Sequence, residues 1–365
     1  MDRESMADRI TVLIVDDSRL FRAALAEALG SERDIVVIGS AFSGPKALEF
    51  IKLNRPDIVT LDVEMPGMDG LATLNEIKKI NDAAPGDAMG VIMVSAFTQR
   101  GAQVTIDALG AGAFDFVAKP SGGSIEANIA ALRVELISKI RAFIASRRRS
   151  GGIPKPTAPL HTVRRPAARS AVPRAVTIGA STGGPRALSV LLPELCKFVD
   201  LPIFIVQHMP MGFTRTLAET FARQLGRPTV EAQDAQPVEQ RTVYIAPGGK
   251  HLLLGGSPTN LLLRLTDQPP ENGCRPAADV LFRSAAAVLG PDAIGVILTG
   301  MGRDGTAGLS ALRRAGGYIV AQDEATSAVW GMPRSAVEAG VVDQVQPLER
   351  IAQAVADWAT RSKAK

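Results

Sequence analysis

Three short motifs in the second half of the chain carry the residue types of a serine hydrolase. Ser181 stands in Gly-Ala-Ser-Thr-Gly-Gly-Pro after an apolar run, His208 follows a second apolar run, and Asp304 lies in a glycine-rich stretch after a third. A turn of the Gly-x-Ser-x-Gly kind between strand and helix lifts a serine hydroxyl above a sheet. A serine nucleophile needs a base, and the base needs an orienting partner. We therefore expect Ser181 to attack, His208 to accept its proton and Asp304 to orient His208.

Each of these motifs has another interpretation. The glycine-rich turn could cradle a phosphate, as dinucleotide-binding turns do. Its spacing is not Gly-x-Gly-x-x-Gly, however, and Gln207 and His208 stand where an acid for the ribose is expected. Taken singly, His208 could be a structural residue beside a strand, and Asp304 could cap the following helix. The meeting of all three elements on one sheet edge favours catalysis.

The surroundings of the predicted nucleophile supply further candidates. His251 opens a predicted hairpin after Pro-Gly-Gly-Lys, and we expect it to line the cleft without abstracting the proton. Backbone N–H groups near Thr182 and Met301 are expected to form an oxyanion hole. The third histidine, His161, falls in a segment of linker composition. Hydrolysis by these groups needs no cofactor.

The first half of the chain carries a different set of candidate site residues, in which charged and polar residues follow apolar strands. Asp16 and Asp17 end the first predicted strand, and Asp62 ends the third. Three carboxylates in one crevice repel each other and require a cation, and Mg²⁺ suits oxygen ligands without Cys or His better than zinc does. Ser95 and Lys119 end the fourth and fifth strands and suit a phosphoryl group. A lone strand-end Asp is usually a cap or a surface charge, but five matching positions favour a site.

Both sets of residues require parallel strands, and the hydrophobic pattern supplies them. Apolar strands alternate with amphipathic helices, which predicts α/β units whose sheets are covered on both faces. We expect a doubly wound (βα)5 unit, then a mostly parallel α/β unit with a hairpin joining 252–254 to 261–265. The predicted strands are 10–15, 34–38, 57–61, 90–94, 115–117, 175–178, 203–206, 242–245, 293–298 and 318–321. The predicted helices are 21–29, 46–53, 71–80, 102–109, 125–144, 186–192, 213–225, 280–289 and 307–314.

Length and composition agree with two globular domains. The chain has 365 residues, of which 46% are hydrophobic and 21% charged, so a sizeable core is available. Cys196 and Cys274 are its only cysteines, which argues against a disulfide framework and fits a reducing compartment. The first ten residues hold no apolar leader, and no run approaches the ~18 apolar residues of a membrane span. We therefore expect a cytoplasmic protein without membrane insertion.

The net charge of +4 is concentrated in one segment. Residues 146–174 hold eight of the 41 basic residues, no acidic residue and five prolines, which leaves 33 basic against 37 acidic residues elsewhere. Such a composition is typical of a proline-stiffened, self-repelling linker. An arm that binds nucleic acid or an acidic partner is the alternative. We favour the linker and expect no nucleic-acid partner.

The first unit resembles a response-regulator receiver domain over residues 9–145. The resemblance rests on Val-Asp-Asp at 15–17, Leu-Asp-Val-Glu-Met-Pro-Gly-Met-Asp-Gly at 61–70, Ser-Ala at 95–96 and Lys-Pro at 119–120. It implies that Asp62 is the phosphoacceptor for a histidine kinase. It also implies that Asp16 and Asp17 hold Mg²⁺ together with Asp62.

The same resemblance assigns the residues that respond to phosphorylation. Lys119 would neutralise the acyl phosphate and Ser95 would sense it. Phe116 stands at the family's aromatic switch position, which is often Tyr. The resemblance therefore implies a switch without its hydroxyl-dependent part.

The second unit resembles the catalytic domain of the chemotaxis protein-glutamate methylesterases over residues 172–360, with 146–171 as the linker. The order Ser, His, Asp differs from the Ser, Asp, His order of the α/β-hydrolases. One departure is Cys274-Arg-Pro-Ala, where the family often reads His-Arg-Pro-Ser, so a peripheral substrate contact is expected to differ. The matching stretches are Ile-Gly-Ala-Ser-Thr-Gly-Gly-Pro at 178–185, Gln-His-Met-Pro at 207–210, Ala-Pro-Gly-Gly-Lys-His at 246–251, Leu-Thr-Gly-Met-Gly-Arg-Asp-Gly at 298–305 and Trp-Gly-Met-Pro at 330–333.

The two resemblances together imply a phosphorylation-activated enzyme of chemotaxis. It would hydrolyse glutamate γ-methyl esters on chemoreceptors with release of methanol, and it would deamidate selected receptor glutamines. The alternative is a phosphorylation-controlled binding module that has kept the fold without hydrolysing anything. The filled Ser, His and Asp positions disfavour that alternative.

Overall fold

Two compact units divide the chain near residue 153. The computed structural model describes residues 9–96, 98–120, 124–150 and 172–361. Each unit contains a parallel sheet with helices packed on it, so the predicted α/β fold class is confirmed. No helix in these ranges is long and apolar enough to cross a membrane.

The first unit is a five-stranded sheet in the order β2-β1-β3-β4-β5, with every pair parallel. Its central strands are buried along their whole length, because helices cover both faces. The strands are β1 (Ile10–Val15), β2 (Ile35–Ala41), β3 (Ile58–Asp62), β4 (Gly90–Ser95) and β5 (Asp115–Ala118). The helices are α1 (Arg19–Gly30), α2 (Gly44–Leu53), α3 (Gly70–Ala83), α4 (Gln99–Ala111) and α5 (Ile125–Ser150).

Helix α5 extends further than the sequence predicts. It continues to Ser150, so residues 146–150 are helical, in contrast to the expected linker. An ion pair between Arg147 and Asp57 ties this last part of α5 to the unit. The rest of the predicted linker, including His161, lies at 151–171, outside the described residues. Beyond it, the backbone N–H of Arg174 donates to the carbonyl of Asp292.

The second unit is a seven-stranded parallel sheet in the order β14-β13-β12-β6-β7-β9-β8. The strands are β6 (Ala175–Ala180), β7 (Ile203–Gln207), β8 (Thr229–Glu231), β9 (Val243–Ile245), β12 (Ala293–Ile297), β13 (Tyr318–Gln322) and β14 (Gln344–Gln346). The predicted hairpin is present as the antiparallel pair β10 (His251–Ser257) and β11 (Asn260–Thr266). The helices are α6 (Gly184–Phe198), α7 (Phe213–Leu225), α8 (Ala278–Val288), α9 (Thr306–Arg314), α10 (Met332–Glu338) and α11 (Leu348–Arg361).

The strand order of this second sheet determines where a site can form. Strand β7 lies on one side of β6, and β12, which comes later in the chain, lies on the other side of β6. Such a reversal opens a crevice at the carboxyl ends of the strands. The loops that follow β6, β7 and β12 therefore meet at one edge.

Candidate functional site

The backbone around Ser181 is fixed by hydrogen bonds to both neighbouring strand ends. The N–H of Ser181 donates to the carbonyl of Thr299, 3.0 Å away, in the loop after β12. The carbonyl of Ser181 accepts from the N–H of Gly184 at 2.8 Å and from Nε2 of Gln207 at 2.9 Å. The half-buried serine is thus held on a rigid turn between β6 and α6.

Glycine is required opposite this turn. A Cβ placed on Gly300 would lie 2.8 Å from Cβ of Ser181, closer than side chains approach each other. On the turn itself, Gly183 has a φ of 76°, which glycine adopts without strain. Both glycines let the loop after β12 pack directly against the serine turn.

His208 follows β7 directly, next to the end of β6. Its N–H donates to the carbonyl of Ala180 at 3.0 Å, and Gln207 is paired with Ala180 in the sheet. Nε2 of the imidazole lies 2.7 Å from Oδ2 of Asp304. The structure therefore brings His208 and Asp304 into contact beside the turn that carries Ser181.

The carboxylate of Asp304 is buried and surrounded by donors. Burial alone would raise its pKa, but the hydrogen bond from His208 and bonds from backbone N–H groups hold the pKa below its usual value. The backbone donors are Ala278 at 2.6 Å, Asp279 at 3.1 Å and Gly305 at 2.9 Å. Asp304 is therefore ionised at neutral pH and can stabilise a positive charge on His208.

The second ring nitrogen of His208 contacts a residue that sequence reasoning placed at the periphery. Sγ of Cys274 lies 3.5 Å from Nδ1 of His208, so the expectation of a merely peripheral position for Cys274 is wrong. Burial opposes protonation of His208, but the bonds with Asp304 and Cys274 raise its pKa to about 9. In the described part of the chain, the ring bonds of His208 run to these two side chains, and none joins it to the hydroxyl of Ser181.

His251 has a different environment from the one expected. It is 1% exposed, and both of its ring nitrogens bond to backbone groups instead of facing a cleft. Nε2 lies 3.1 Å from the carbonyl of Pro269, and Nδ1 accepts from the N–H of Ala277 at 3.2 Å. His251 thus ties together the two ends of the segment 269–277 and leaves no ring nitrogen for a substrate.

The two residues expected to contribute to an oxyanion hole lie on loops that pack against each other. Thr182 is buried, and its carbonyl accepts a hydrogen bond from Oγ1 of Thr299 at 2.9 Å. Met301 follows Gly300, which packs against the serine. Sequence reasoning missed Thr299, which links the serine turn to the loop after β12.

The first unit gathers its acidic residues as predicted. Carboxylate oxygens of Asp16, Asp17 and Asp62 all lie within 4.8 Å of one another. Asp16 and Asp62 are buried, whereas Asp17 is exposed. Nζ of Lys119 lies 2.8 Å from Asp16 and 2.9 Å from Asp62.

The charge of this cluster fits a divalent cation. Burial and the neighbouring Asp16 raise the pKa of Asp62 to about 6, although Lys119 opposes that shift. Oδ2 of Asp16 is buried and has Nζ of Lys119 as its charged neighbour at 2.8 Å. Three carboxylates against one ammonium form the hard oxygen donor set that Mg²⁺ prefers.

Two of the three predicted switch residues, Ser95 and Phe116, lie in neighbouring strands of the same sheet. Ser95 ends β4, where it is buried and its hydroxyl donates to the carbonyl of Ala96 at 3.3 Å. Phe116 is buried in β5. Nζ of Lys139 lies over its ring, 5.2 Å from the ring centroid.

Comparison with known proteins gives matches to both units. The family model for CheB methylesterase matches residues 176–355, and that for the response regulator receiver domain matches 12–129. A protein-glutamate methylesterase/protein-glutamine glutaminase from Nocardioides sp. (strain ATCC BAA-499 / JS614) is 45% identical, over 93% of this chain and 92% of that one. A protein of the same name from Pyrococcus abyssi is 41% identical, over 95% and 93%. The crystal structure of the Thermotoga maritima CheB methylesterase catalytic domain is 40% identical, covers 51% of this chain and 98% of that chain, and has a TM-score of 0.49.

Proposed function

The chain belongs to the protein-glutamate methylesterase/protein-glutamine glutaminase family, and from this membership we propose that it demethylates and deamidates chemoreceptors with Ser181, His208 and Asp304. The substrates are glutamate γ-methyl esters, which yield methanol, and glutamine side chains, which yield ammonia. The observation that carries the residue assignment is the 2.7 Å contact between His208 and Asp304 beside the serine turn.

The proposed reaction starts with attack of Oγ of Ser181 on the ester carbonyl. Nδ1 of His208 accepts the serine proton, because Nε2 is bonded to Asp304. The tetrahedral intermediate then expels methanol, which takes the proton from Nδ1 and leaves an acyl-serine. Water repeats the sequence on the acyl-serine and restores the carboxylate. With a glutamine substrate, ammonia leaves in place of methanol.

The negative charge that develops on the carbonyl oxygen needs donors. We assign this role to backbone N–H groups near Thr182 and Met301, where the rigid packing of the two loops supports a fixed geometry. Loss of one such donor typically costs about 3 kcal/mol of transition-state stabilisation. The ionised Asp304 meanwhile stabilises the imidazolium that forms when His208 takes the proton.

Phosphorylation of the receiver controls this activity in our proposal. We assign residues 9–145 to the receiver and 172–360 to the hydrolase. Asp62 is the acceptor for a histidine kinase, and Asp16, Asp17 and Asp62 would hold Mg²⁺, which supplies positive charge for the phosphoryl oxygens. Lys119, already paired with Asp62 at 2.9 Å, is placed to neutralise the acyl phosphate, while Ser95 would sense it.

Methanol release from methylated receptor membranes tests the proposed function. The full-length chain with acetyl phosphate and Mg²⁺ should release methanol, and Ser181→Ala should release none above background. Ammonia release from receptors that carry glutamine at the same sites tests the second activity. Receptor binding without either product would instead identify the non-catalytic binding module, an alternative that the names of the relatives do not favour.

A further inference from the structure

A tight turn at Asn272 and Gly273 lies outside the motifs discussed so far. The N–H of Glu271 donates to the carbonyl of Cys274 at 3.0 Å, and the N–H of Cys274 donates back at 2.9 Å. Asn272 has a φ of 53° and Gly273 a φ of 76°, which is the backbone of an Asn-Gly turn. We call residues 271–274 the Asn-Gly turn.

Side chains of the Asn-Gly turn reach the two groups that are proposed to act with Ser181. Nδ2 of Asn272 donates to Oδ1 of Asp304 at 3.2 Å and to Oδ2 of Asp279 at 2.9 Å. Both of these carboxylates are buried. Two residues further on, Sγ of Cys274 lies 3.5 Å from Nδ1 of His208.

The Asn-Gly turn is itself held in place from several directions. His251 bonds to the carbonyl of Pro269 on one side and to the N–H of Ala277 on the other. The N–H of Gly249 donates to the carbonyl of Arg275 at 3.0 Å. At the start of the turn, Glu271 is paired with Arg283 of α8. A turn fixed in this way can fix the side chains that it carries.

We propose that the Asn-Gly turn is a positioning element of the hydrolase site, in which Asn272 anchors the turn to two buried carboxylates and Cys274 is thereby held against the base nitrogen of His208. This inference rests on the proposed function, because it takes Nδ1 as the atom that receives the serine proton. The sulfur of Cys274 lies against that nitrogen, which does not bond Asp304. Cys274 therefore competes with the hydroxyl of Ser181 for the base, and it sets the pH at which the base becomes available.

The charges around His208 determine the sign of that effect. Asp304 and Cys274 contact the ring, and Asp279 lies behind Asp304 across Asn272. Arg283 and Glu271 pair with each other at 2.7 Å on the outer side. The contact with Cys274 raises the pKa of His208, so removal of the sulfur should make His208 easier to deprotonate.

Titration of the imidazole by ¹⁵N NMR in the full-length chain tests the proposal without any substrate. The chain has only three histidines, so His161→Gln and His251→Gln assign the His208 signals. We expect Cys274→Ala to lower the midpoint of His208 by roughly one pH unit. Asn272→Gly, which keeps the left-handed backbone but removes the amide, should lower it by less. Cys196→Ser removes the other thiol, in α6, and should leave the midpoint unchanged.

Activity measurements give the second readout. The acidic limb of kcat/KM for methanol release should move to lower pH in Cys274→Ala by the same amount as the NMR midpoint. Cys274→Val also removes the polar atom from Nδ1, with a side chain of similar volume, and provides the same comparison if the alanine variant does not fold. An unchanged His208 midpoint in a folded Cys274 variant overturns the proposal, and an unchanged midpoint in Asn272→Gly overturns the anchoring role. Since the NMR titration needs no turnover, its failure is distinguishable from an absence of methanol release.

Discussion

Nε2 of His208 lies 2.7 Å from Oδ2 of Asp304, which leaves Nδ1 as the ring nitrogen that can serve as the base. The carboxylate keeps its charge because four further N–H groups donate to it, three from the backbone and one from Asn272. A buried carboxylate with so many donors cannot easily take a proton itself. It can only orient the ring and stabilise its positive form.

Removal of the proposed nucleophile and removal of the proposed base should have similar consequences. Ser181→Ala and His208→Ala should each reduce methanol release to background, because the two groups act in one step. The double variant should be little worse than either single variant, since residues that act as a unit have strongly non-additive effects. Circular dichroism serves as the folding control. Substantial methanol release by a folded Ser181→Ala protein would exclude serine catalysis.

The pKa of His208 predicts how stability depends on pH. Its folded-state pKa of about 9 is above the ordinary value of 6.5, so the folded state binds the proton more tightly than the unfolded chain does. The resulting stability is fully present below pH 6.5 and is lost as the pH rises through 9. The difference between the two pKa values corresponds to about 3 kcal/mol.

Urea unfolding at pH 6 and pH 9 measures this loss. His208→Gln is the matched control, because it removes the titrating ring while the other ionisable groups remain. The free energy of unfolding should fall more steeply between the two pH values in the unmodified chain than in His208→Gln. Parallel pH profiles for the two proteins would show that His208 is not protonated preferentially in the folded state.

His251 should behave differently from His208. Its ring bonds the carbonyl of Pro269 and the N–H of Ala277, both in the segment that carries the Asn-Gly turn. His251→Ala leaves the buried N–H of Ala277 without its partner, at about 1 to 3 kcal/mol, and also removes the bond to the carbonyl of the exposed Pro269. We expect a clear loss of stability in urea, with more residual methanol release than in His208→Ala. Equal or greater loss of activity at full stability would contradict the structural role.

Strand-end positions explain why most of the site was predictable from the sequence. Buried runs such as Ile203–Gln207 identify parallel strands, and the residue after each strand must then lie at the shared edge. The three-residue strands β8 and β14 carry too few residues to show a pattern, and they were not predicted. Helix α11 has a clear amphipathic pattern that could have been recognised.

The contacts made by side chains from distant segments were not predictable in this way. Cys274 lies 66 positions from His208, and only the folded Asn-Gly turn brings the two together. The same holds for His251, whose partners are backbone groups that no residue pattern reveals. The Asn-Gly dipeptide itself was the available signal, because it commonly forms a tight turn between paired segments.

Asp62 provides the last prediction, which concerns control by phosphorylation. Acetyl phosphate with Mg²⁺ should raise methanol release by the full-length chain, and a coupling free energy of ~1 to 3 kcal/mol corresponds to about 5- to 150-fold activation. Asp62→Asn removes the proposed acceptor oxygen and should stay at the basal rate with or without the phosphodonor. Asp69→Asn is the matched control. Asp69 caps α3 and belongs neither to the acidic cluster around Asp62 nor to the hydrolase site. Activation of Asp62→Asn to the level of the unmodified chain would show that another group accepts the phosphoryl.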